Sequence, residues 1–311
     1  MHAFLETHDD IYMSPAKEPH YFSVDITREG DEFHGDKRFG VFRSLEQYLW
    51  LFRGATDQQV VGEASPLYLY SREAAGEIHR FDPAAKIIIM VREPISFLRS
   101  LHSQFLYYLD EERASLLEAL DLEPQRRNGE ALPRSVRLPS LLRYTELAAF
   151  SVQIRRYTEL FSPSQVKVIV QDDLGAGTAQ VYRDVLEFLG VDSDVEVPPL
   201  PKAKVNPNKQ TRSRALQALL RNWRLALRGT LPRDDFPDGP DMSRKLWTRL
   251  LPARVQSRIV ERLTNLNTRW TPLPPLDDEE RRELQRRFIG EVRALGELLD
   301  RDLCALWGYS E

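Results

Sequence analysis

The sequence predicts an α/β protein in which a parallel sheet is covered by helices on both faces. Two segments carry that prediction. One apolar run begins at Ile87 and stops at Arg92; a second, Val166–Val170, is apolar except at Lys167. Strands without polar alternation are those buried on both faces, the mark of a parallel sheet. Each run is followed by a helical pattern, and parallel neighbours need such crossovers.

The remaining elements follow in order. Met1–Thr7 reads as the tail of a helix, and Val60–Glu63 as a short strand leading into SPLYLYS. Ser71 caps a helix reaching Phe81, with Ala74, Ala75 and Ile78 at helical spacing. Asp82-Pro83 turns the chain into the strand at Ile87. Glu93-Pro94 then opens a helix over 94–109, proline being tolerated where the amide has no helical partner. The polar, arginine-rich stretch Glu123–Arg137 is expected to be a loop. A long helix is expected from Ser140 to Phe161, ended by Ser162-Pro163, and Thr178–Leu189 is an amphipathic helix stopped by Gly190. Beyond residue 200 strand signals vanish, and helices are expected at about 211–228, 243–264 and 278–299. The chain is read as one domain over 1–311, with 1–200 as the α/β core and 201–311 as a mainly helical C-terminal part.

Composition narrows the function classes. The 311 residues are 42% hydrophobic and 29% charged with a net charge of −4, an ordinary globular balance that does not seek nucleic acid. The single cysteine, Cys304, excludes a disulfide framework and reads as a core thiol. The six histidines show no pair at metal spacing, so no metal is expected. No stretch reaches membrane-spanning length and the charged start MHAFLETHDD is no signal peptide, so a cytoplasmic protein is expected. Oligomeric state leaves no trace. One local field departs from the acidic average: nine Lys or Arg residues and no acid lie between Glu196 and Asp234. It suits a polyanionic ligand or a solvated helix face, and Lys202, Lys204 and Asn206 stand at its start.

Three segments carry candidate chemistry. Arg92 follows a strand at the end where open parallel sheets place ligands, and Ser100 lies two turns along the next helix. A guanidinium there can fork onto a phosphate with a hydroxyl added from the same side; packing or ion pairing is the plainer alternative. In IYMSPAKEPHYF, Pro15 and Pro19 stiffen a loop presenting Lys17, Glu18 and His20. Glu18 or His20 suits proton removal from a hydroxyl and Lys17 supplies positive charge, unless the loop is a surface turn with an incidental ion pair. Tyr21 and Phe22 would anchor it. Glu63, with Ser65, Pro66 and Tyr68, occupies a second strand-end loop, as a cleft residue, a salt bridge or a helix cap. His79 reads as structural.

Taken together these pieces resemble the sulfotransferase family that uses 3′-phosphoadenosine 5′-phosphosulfate, particularly its bacterial and carbohydrate-type branches. HDDIYMSPAKEPHYF resembles the loop after the family's first helix, VGEASPLYLYS the next strand and cleft loop, and KIIIMVREPISFLRSLHS the 3′-phosphate signature. VYRDVLEFLGV and LGELLDRDLCALWG continue the likeness in the family's order. The resemblance implies a three-layer α/β/α fold with a central parallel sheet, related to nucleotide kinases and P-loop nucleoside-triphosphate hydrolases. It implies sulfuryl transfer to a hydroxyl or amine of a small-molecule or glycan acceptor, without a metal. Arg92 and Ser100 would bind the 3′-phosphate, Glu18 would be the base with His20 its rival and Lys17 beside them, and Glu63 would orient the acceptor. A non-catalytic nucleotide-binding or scaffold protein of the same fold is the alternative.

The sequence also departs from the family. The glycine-rich, lysine-containing loop that cradles the 5′-phosphosulfate has no counterpart, because the match begins inside the first helix at Met1–Leu5. The expectation is a chain truncated at its N-terminus relative to the family, either a piece of a longer protein or a short inactive form. Ala148 and Phe150 fall where many relatives carry glycine and tyrosine, so no adenine-contacting residue is assigned.

Overall fold

Parallel pairing, the arrangement that the unbroken apolar runs predict, is what those two runs adopt. The computed structural model describes residues 1–35, 40, 42–198, 208–228 and 253–309. Lys202, Lys204 and Asn206, and the first part of the helix expected from 243, lie outside the described residues. The chain forms two compact units, one drawn from residues 1–97, 143–202 and 278–311 and the other from 98–142 and 203–277.

In the first unit α1 (His2–Leu5) leads into β1 (Ile11–Met13), and α2 (Val24–His34) and α3 (Leu45–Trp50) precede β2 (Val60–Gly62). α4 (Leu67–Tyr70) and α5 (Ala74–Phe81) lead to β3 (Ile87–Val91) and the start of α6 (Pro94–Tyr108). β1 pairs with β2 in parallel, Ile11 opposite Val60, and β3 with β4 (Val166–Val170), Ile87 opposite Val166. These are two separate two-stranded sheets. The Val60 amide bonds Asp10 and the Gly62 carbonyl accepts from Ser14, so the peptide groups of Val61 point away from β1. Ile87 likewise donates to Gln165, which turns the peptide groups of Ile88 and Met90 away from β4. Both pairs nevertheless share one apolar cluster. Ile11, Met13 and Val60 meet Ile88 and Ile169 there, under Phe4 and Leu5 of α1 and Tyr182, Val185 and Leu186 of α11 (Gln171–Leu189). Gly190 ends α11 at φ 81°, a left-handed conformation that favours glycine.

The expected helix from Ser140 to Phe161 is instead broken. A 3₁₀ turn (Pro139–Leu142) and the short α9 (Tyr144–Leu147) precede α10 (Phe150–Thr158). The break is stabilised from both sides. Gln153 Nε2 donates to the carbonyls of Glu146 and Leu147, and the Glu291 carboxylate accepts the Ser151 amide at 2.7 Å. Glu291 belongs to α14 (Asp278–Leu299), which with α15 (Leu303–Trp307) completes this unit.

The second unit takes α6 from Leu98 onward, with α7 (Leu116–Asp121) and α8 (Glu123–Arg127). α8 corrects the loop expected from Glu123. Arg126 is buried, donating to both carboxylate oxygens of Glu111 at 2.8 Å, so this arginine is a core residue. β5 (Lys209–Thr211) pairs antiparallel with β6 (Thr268–Trp270), correcting the expectation that no strand lies beyond residue 200. The pair closes α12 (Arg214–Arg228) against α13 (Ala253–Asn267) through Leu216, Leu220, Trp223, Val260 and Leu263.

Candidate functional site

Two groups of side chains sit at strand ends of the first unit. The first joins the loop after β1 to the loop after β2. Pro19 and Pro15 frame a segment in which Glu18 and His20 both hold left-handed backbone, at φ 57° and 54°. Such conformations cost roughly 1–3 kcal/mol apiece in non-glycine residues and persist only where neighbours over-determine them. The neighbours are identifiable. Glu18 N–H donates to the Ala64 carbonyl at 3.1 Å, His20 N–H to Ser65 Oγ at 3.0 Å, and Phe22 N–H to the Tyr68 hydroxyl at 3.3 Å. Ser65 Oγ in turn donates to Glu63 Oε2 at 2.8 Å. One loop is therefore laced to the other at every second residue.

The side chains converge as well. His20 Nε2 lies 3.5 Å from the Glu18 carboxylate, with Glu18 exposed and His20 largely covered. The His20 ring meets Tyr68 edge-on at 6.3 Å, and its Nδ1 is buried with no hydrogen-bond partner among the described residues. Burial pushes the Glu63 carboxyl above the usual range, against the hydrogen bonds of Tyr68 and Ser65 and the charge of His20. Burial and the Glu63 charge together push the Tyr68 hydroxyl up. Tyr21 stacks on Tyr48 at 4.6 Å and Phe22 is buried against Tyr48 and Phe81, the anchoring that the sequence suggested. Lys17 is exposed on the same loop. His79 packs edge-on against Phe161 and is structural.

The second group surrounds Arg92, at the end of β3. Its Nε donates to Ser96 Oγ at 3.1 Å and its Nη2 to the Ser96 carbonyl at 2.9 Å. Burial pulls its pKa down, opposed by the charges of Glu93 and Asp172. The Glu93 carboxylate caps α6, accepting the amides of Ile95 at 3.0 Å and Ser96 at 2.5 Å. Ser100, exposed on α6, belongs to the second unit. The hydroxyl that Arg92 engages is that of Ser96, one turn along. Sequence reading passed over it, although its i, i+4 spacing from Arg92 is a usable signal.

The chain is similar to known proteins in sequence and in fold. No protein-family model matches it. It is 24% identical over 244 residues to carbohydrate sulfotransferase 15 of Mus musculus, covering 60% of this chain and 40% of that protein. It is 31% identical over 103 residues to heparan sulfate glucosamine 3-O-sulfotransferase 6 of Homo sapiens, 33% of this chain and 25% of that protein. The chain thus spans well under half the length of these curated relatives. The crystal structure of a sulfotransferase from Alicyclobacillus acidocaldarius superposes with a TM-score of 0.63 at 26% identity, over 97% of this chain and 90% of that one. The fold is that of the sulfotransferases, and the chain is a member of the sulfotransferase superfamily. Among the described residues no helix is long and apolar enough to cross a membrane, and no group of three or more His, Cys, Asp or Glu side chains is placed to hold a metal ion.

Proposed function

We propose that this protein transfers a sulfuryl group from 3′-phosphoadenosine 5′-phosphosulfate to a hydroxyl or amine of a small-molecule or glycan acceptor. The observation that carries the reading is the strained Glu18–His20 segment laced to the Glu63 loop. Backbone strain held in place by a built network belongs with function more often than with packing. The likeness to a carbohydrate sulfotransferase and a heparan sulfate sulfotransferase supports a glycan acceptor.

Arg92 and Ser100 would hold the 3′-phosphate. The Arg92 guanidinium fits an anion: it is half-buried, tethered by Ser96, and stands before the first turn of a fifteen-residue helix. When bound, the co-substrate supplies the sulfuryl group and departs as the bisphosphate. Glu18, with His20 as rival, would take the proton from the acceptor oxygen as that oxygen bonds to sulfur. Lys17 would offset charge growing on the leaving oxygen, and buried Glu63 would hold an acceptor hydroxyl in line for attack.

Calorimetric titration with 3′-phosphoadenosine 5′-phosphate, beside an acceptor screen that includes glycans, tests the reading. Saturable binding that adenosine 5′-phosphate does not reproduce is expected. Arg92→Ala should weaken it by about 1–3 kcal/mol, the value of a charged hydrogen-bond partner. Glu18→Gln should lower turnover and spare nucleotide affinity. Nucleotide binding without transfer to any acceptor would indicate a binding or scaffold protein of this fold, and no binding by the folded protein would overturn the reading.

A further inference from the structure

Three contacts fasten the C-terminal helices to the ends of β3 and β4. Tyr309 donates its hydroxyl to Glu93 Oε1 at 2.6 Å, and Trp307 its indole N–H to Asp172 Oδ2 at 3.1 Å. Arg301 forms a two-point pair with Asp173 at 2.7 and 3.0 Å, anchoring the turn between α14 and α15. Glu93 and Asp172, the two carboxylates held by Tyr309 and Trp307, are also the acids whose charge reaches Arg92.

That coincidence has a physical meaning. A carboxylate and a phosphate compete for the same guanidinium fork. Glu93 adjoins Arg92 in sequence and Asp172 begins α11 beyond β4, the strand paired with β3. Yet the hydrogen bonds of Arg92 go to Ser96 and to neither carboxylate. The Glu93 oxygens are occupied by the Ile95 and Ser96 amides and by the buried Tyr309 hydroxyl; Asp172 is held by the indole.

We propose that Tyr309 and Trp307 are positioning residues for the Arg92 site: they hold the Glu93 and Asp172 carboxylates off the guanidinium and leave it open to a phosphate. The inference rests on the reading of Arg92 as a phosphate ligand, and deepens it by assigning control of that site to the C-terminal segment.

The test uses the full chain and two readouts. In Tyr309→Phe, Glu93 loses one of its three hydrogen bonds, keeps those to the Ile95 and Ser96 amides, and is freer to turn toward Arg92. Affinity for 3′-phosphoadenosine 5′-phosphate should fall about two- to fivefold, the scale of a half-exposed charge pair. Adding Glu93→Gln should restore it to near the wild-type value, because a carboxamide caps α6 without competing for the cation. A purely structural role for Tyr309 would leave the double variant as weak as the single one. Trp307→Phe should weaken binding in the same direction through Asp172. The second readout needs no nucleotide: the rate at which phenylglyoxal modifies Arg92, followed by peptide mass spectrometry, should drop in Tyr309→Phe and recover in the double variant. An unchanged rate, or no recovery, overturns the positioning role. Failure of the wild-type protein to bind the nucleotide would count against the functional reading alone, with the modification rates still deciding the role of Tyr309.

Discussion

Glu63 and His20 are joined through a single hydroxyl. Ser65 Oγ donates to Glu63 Oε2 at 2.8 Å and accepts the His20 amide at 3.0 Å, so the position of one residue fixes the backbone of the other. His20 holds left-handed backbone at φ 54°, and this bond is the one made by its own amide. Ser65→Ala is therefore expected to act mainly on turnover. Acceptor turnover should fall roughly tenfold or more, as expected when a catalytic group loses its orientation. Affinity for 3′-phosphoadenosine 5′-phosphate should stay within a factor of two, because Arg92 is held by a separate set of bonds to Ser96. Stability in urea should drop by about 1–3 kcal/mol, the net worth of the two hydrogen bonds that the hydroxyl makes. Equal losses in turnover and nucleotide affinity would show that the two groups do not act separately.

Burial raises the Glu63 carboxyl above its ordinary value, which makes a signed prediction about pH. The folded state holds this proton more firmly than the unfolded state does. Stability therefore declines as pH rises from the ordinary glutamate value through the raised folded one, and the buried carboxylate is a liability at neutral pH. Glu63→Gln removes that contribution. Thermal midpoints measured between about pH 4 and 8 should show the variant gaining on the wild type as pH rises. A constant difference across that range would mean that Glu63 titrates normally. Turnover of Glu63→Gln should fall even where its stability improves, the opposite of what loss of a structural residue would do.

How far the sequence reveals this protein depends on where each segment's stability resides. Ile87–Val91 and Val166–Val170 were legible because burial on both faces writes itself as an unbroken apolar run. Glu18, His20 and Glu63 were singled out on proline framing and strand-end position, and the structure brings them together. β5 and β6 left no signal, since KQT and TRW are mostly polar and are held by Asn267 and by the Tyr107–Thr268 hydroxyl pair. The break before α10 was hidden for a related reason. Its capping carboxylate, Glu291, lies 140 residues away in the chain. The bonds from Arg92 to Ser96 are not legible either, because the sequence suggests what a guanidinium can bind but not which neighbour already holds it.

Arg126 illustrates a core role that composition conceals. Its two bonds to Glu111, both at 2.8 Å, lie fully buried, and the same carboxylate accepts the amides of Glu112 and Arg113. Burial alone would raise the Glu111 pKa; the hydrogen bonds from Arg126 and from these amides outweigh it and hold the carboxyl below its ordinary value. The stability this provides is present above the unfolded glutamate value, about pH 4.3, and is lost as pH falls through the lower folded one. Glu111→Gln leaves a guanidinium buried without its counter-charge, and should cost about 3–5 kcal/mol in denaturant unfolding. Replacing both partners with apolar residues of similar volume should recover most of that loss. Failure of the double variant to recover would mean that the amide contacts of Glu111, and not its charge, dominate.

Glu291 makes the corresponding prediction for the first unit. α10 begins after Ala149, which has no side chain to cap it; the Glu291 carboxylate does so from α14, bonding the Ser151 amide at 2.7 Å and its hydroxyl at 2.8 Å. α10 then supports the loop after β2: Tyr157 donates to the Tyr68 carbonyl at 2.8 Å, and Arg156 to the carbonyls of Tyr70 and Ser71 at 3.0 and 3.1 Å. Glu291→Ala leaves two donors uncompensated and should cost about 1–3 kcal/mol. Burial already raises the Glu291 pKa, so its negative charge is held at some cost and a neutral acceptor can do much of its work. Glu291→Gln should accordingly lose less than the alanine variant. Hydrogen exchange separates local from global effects. In Glu291→Ala the amides of 150–158 and 67–71 should exchange faster together, while those of β4 keep their protection. Faster exchange confined to 150–158 would show that α10 does not transmit its cap to the Tyr68 loop, and turnover in that variant should then match the wild type.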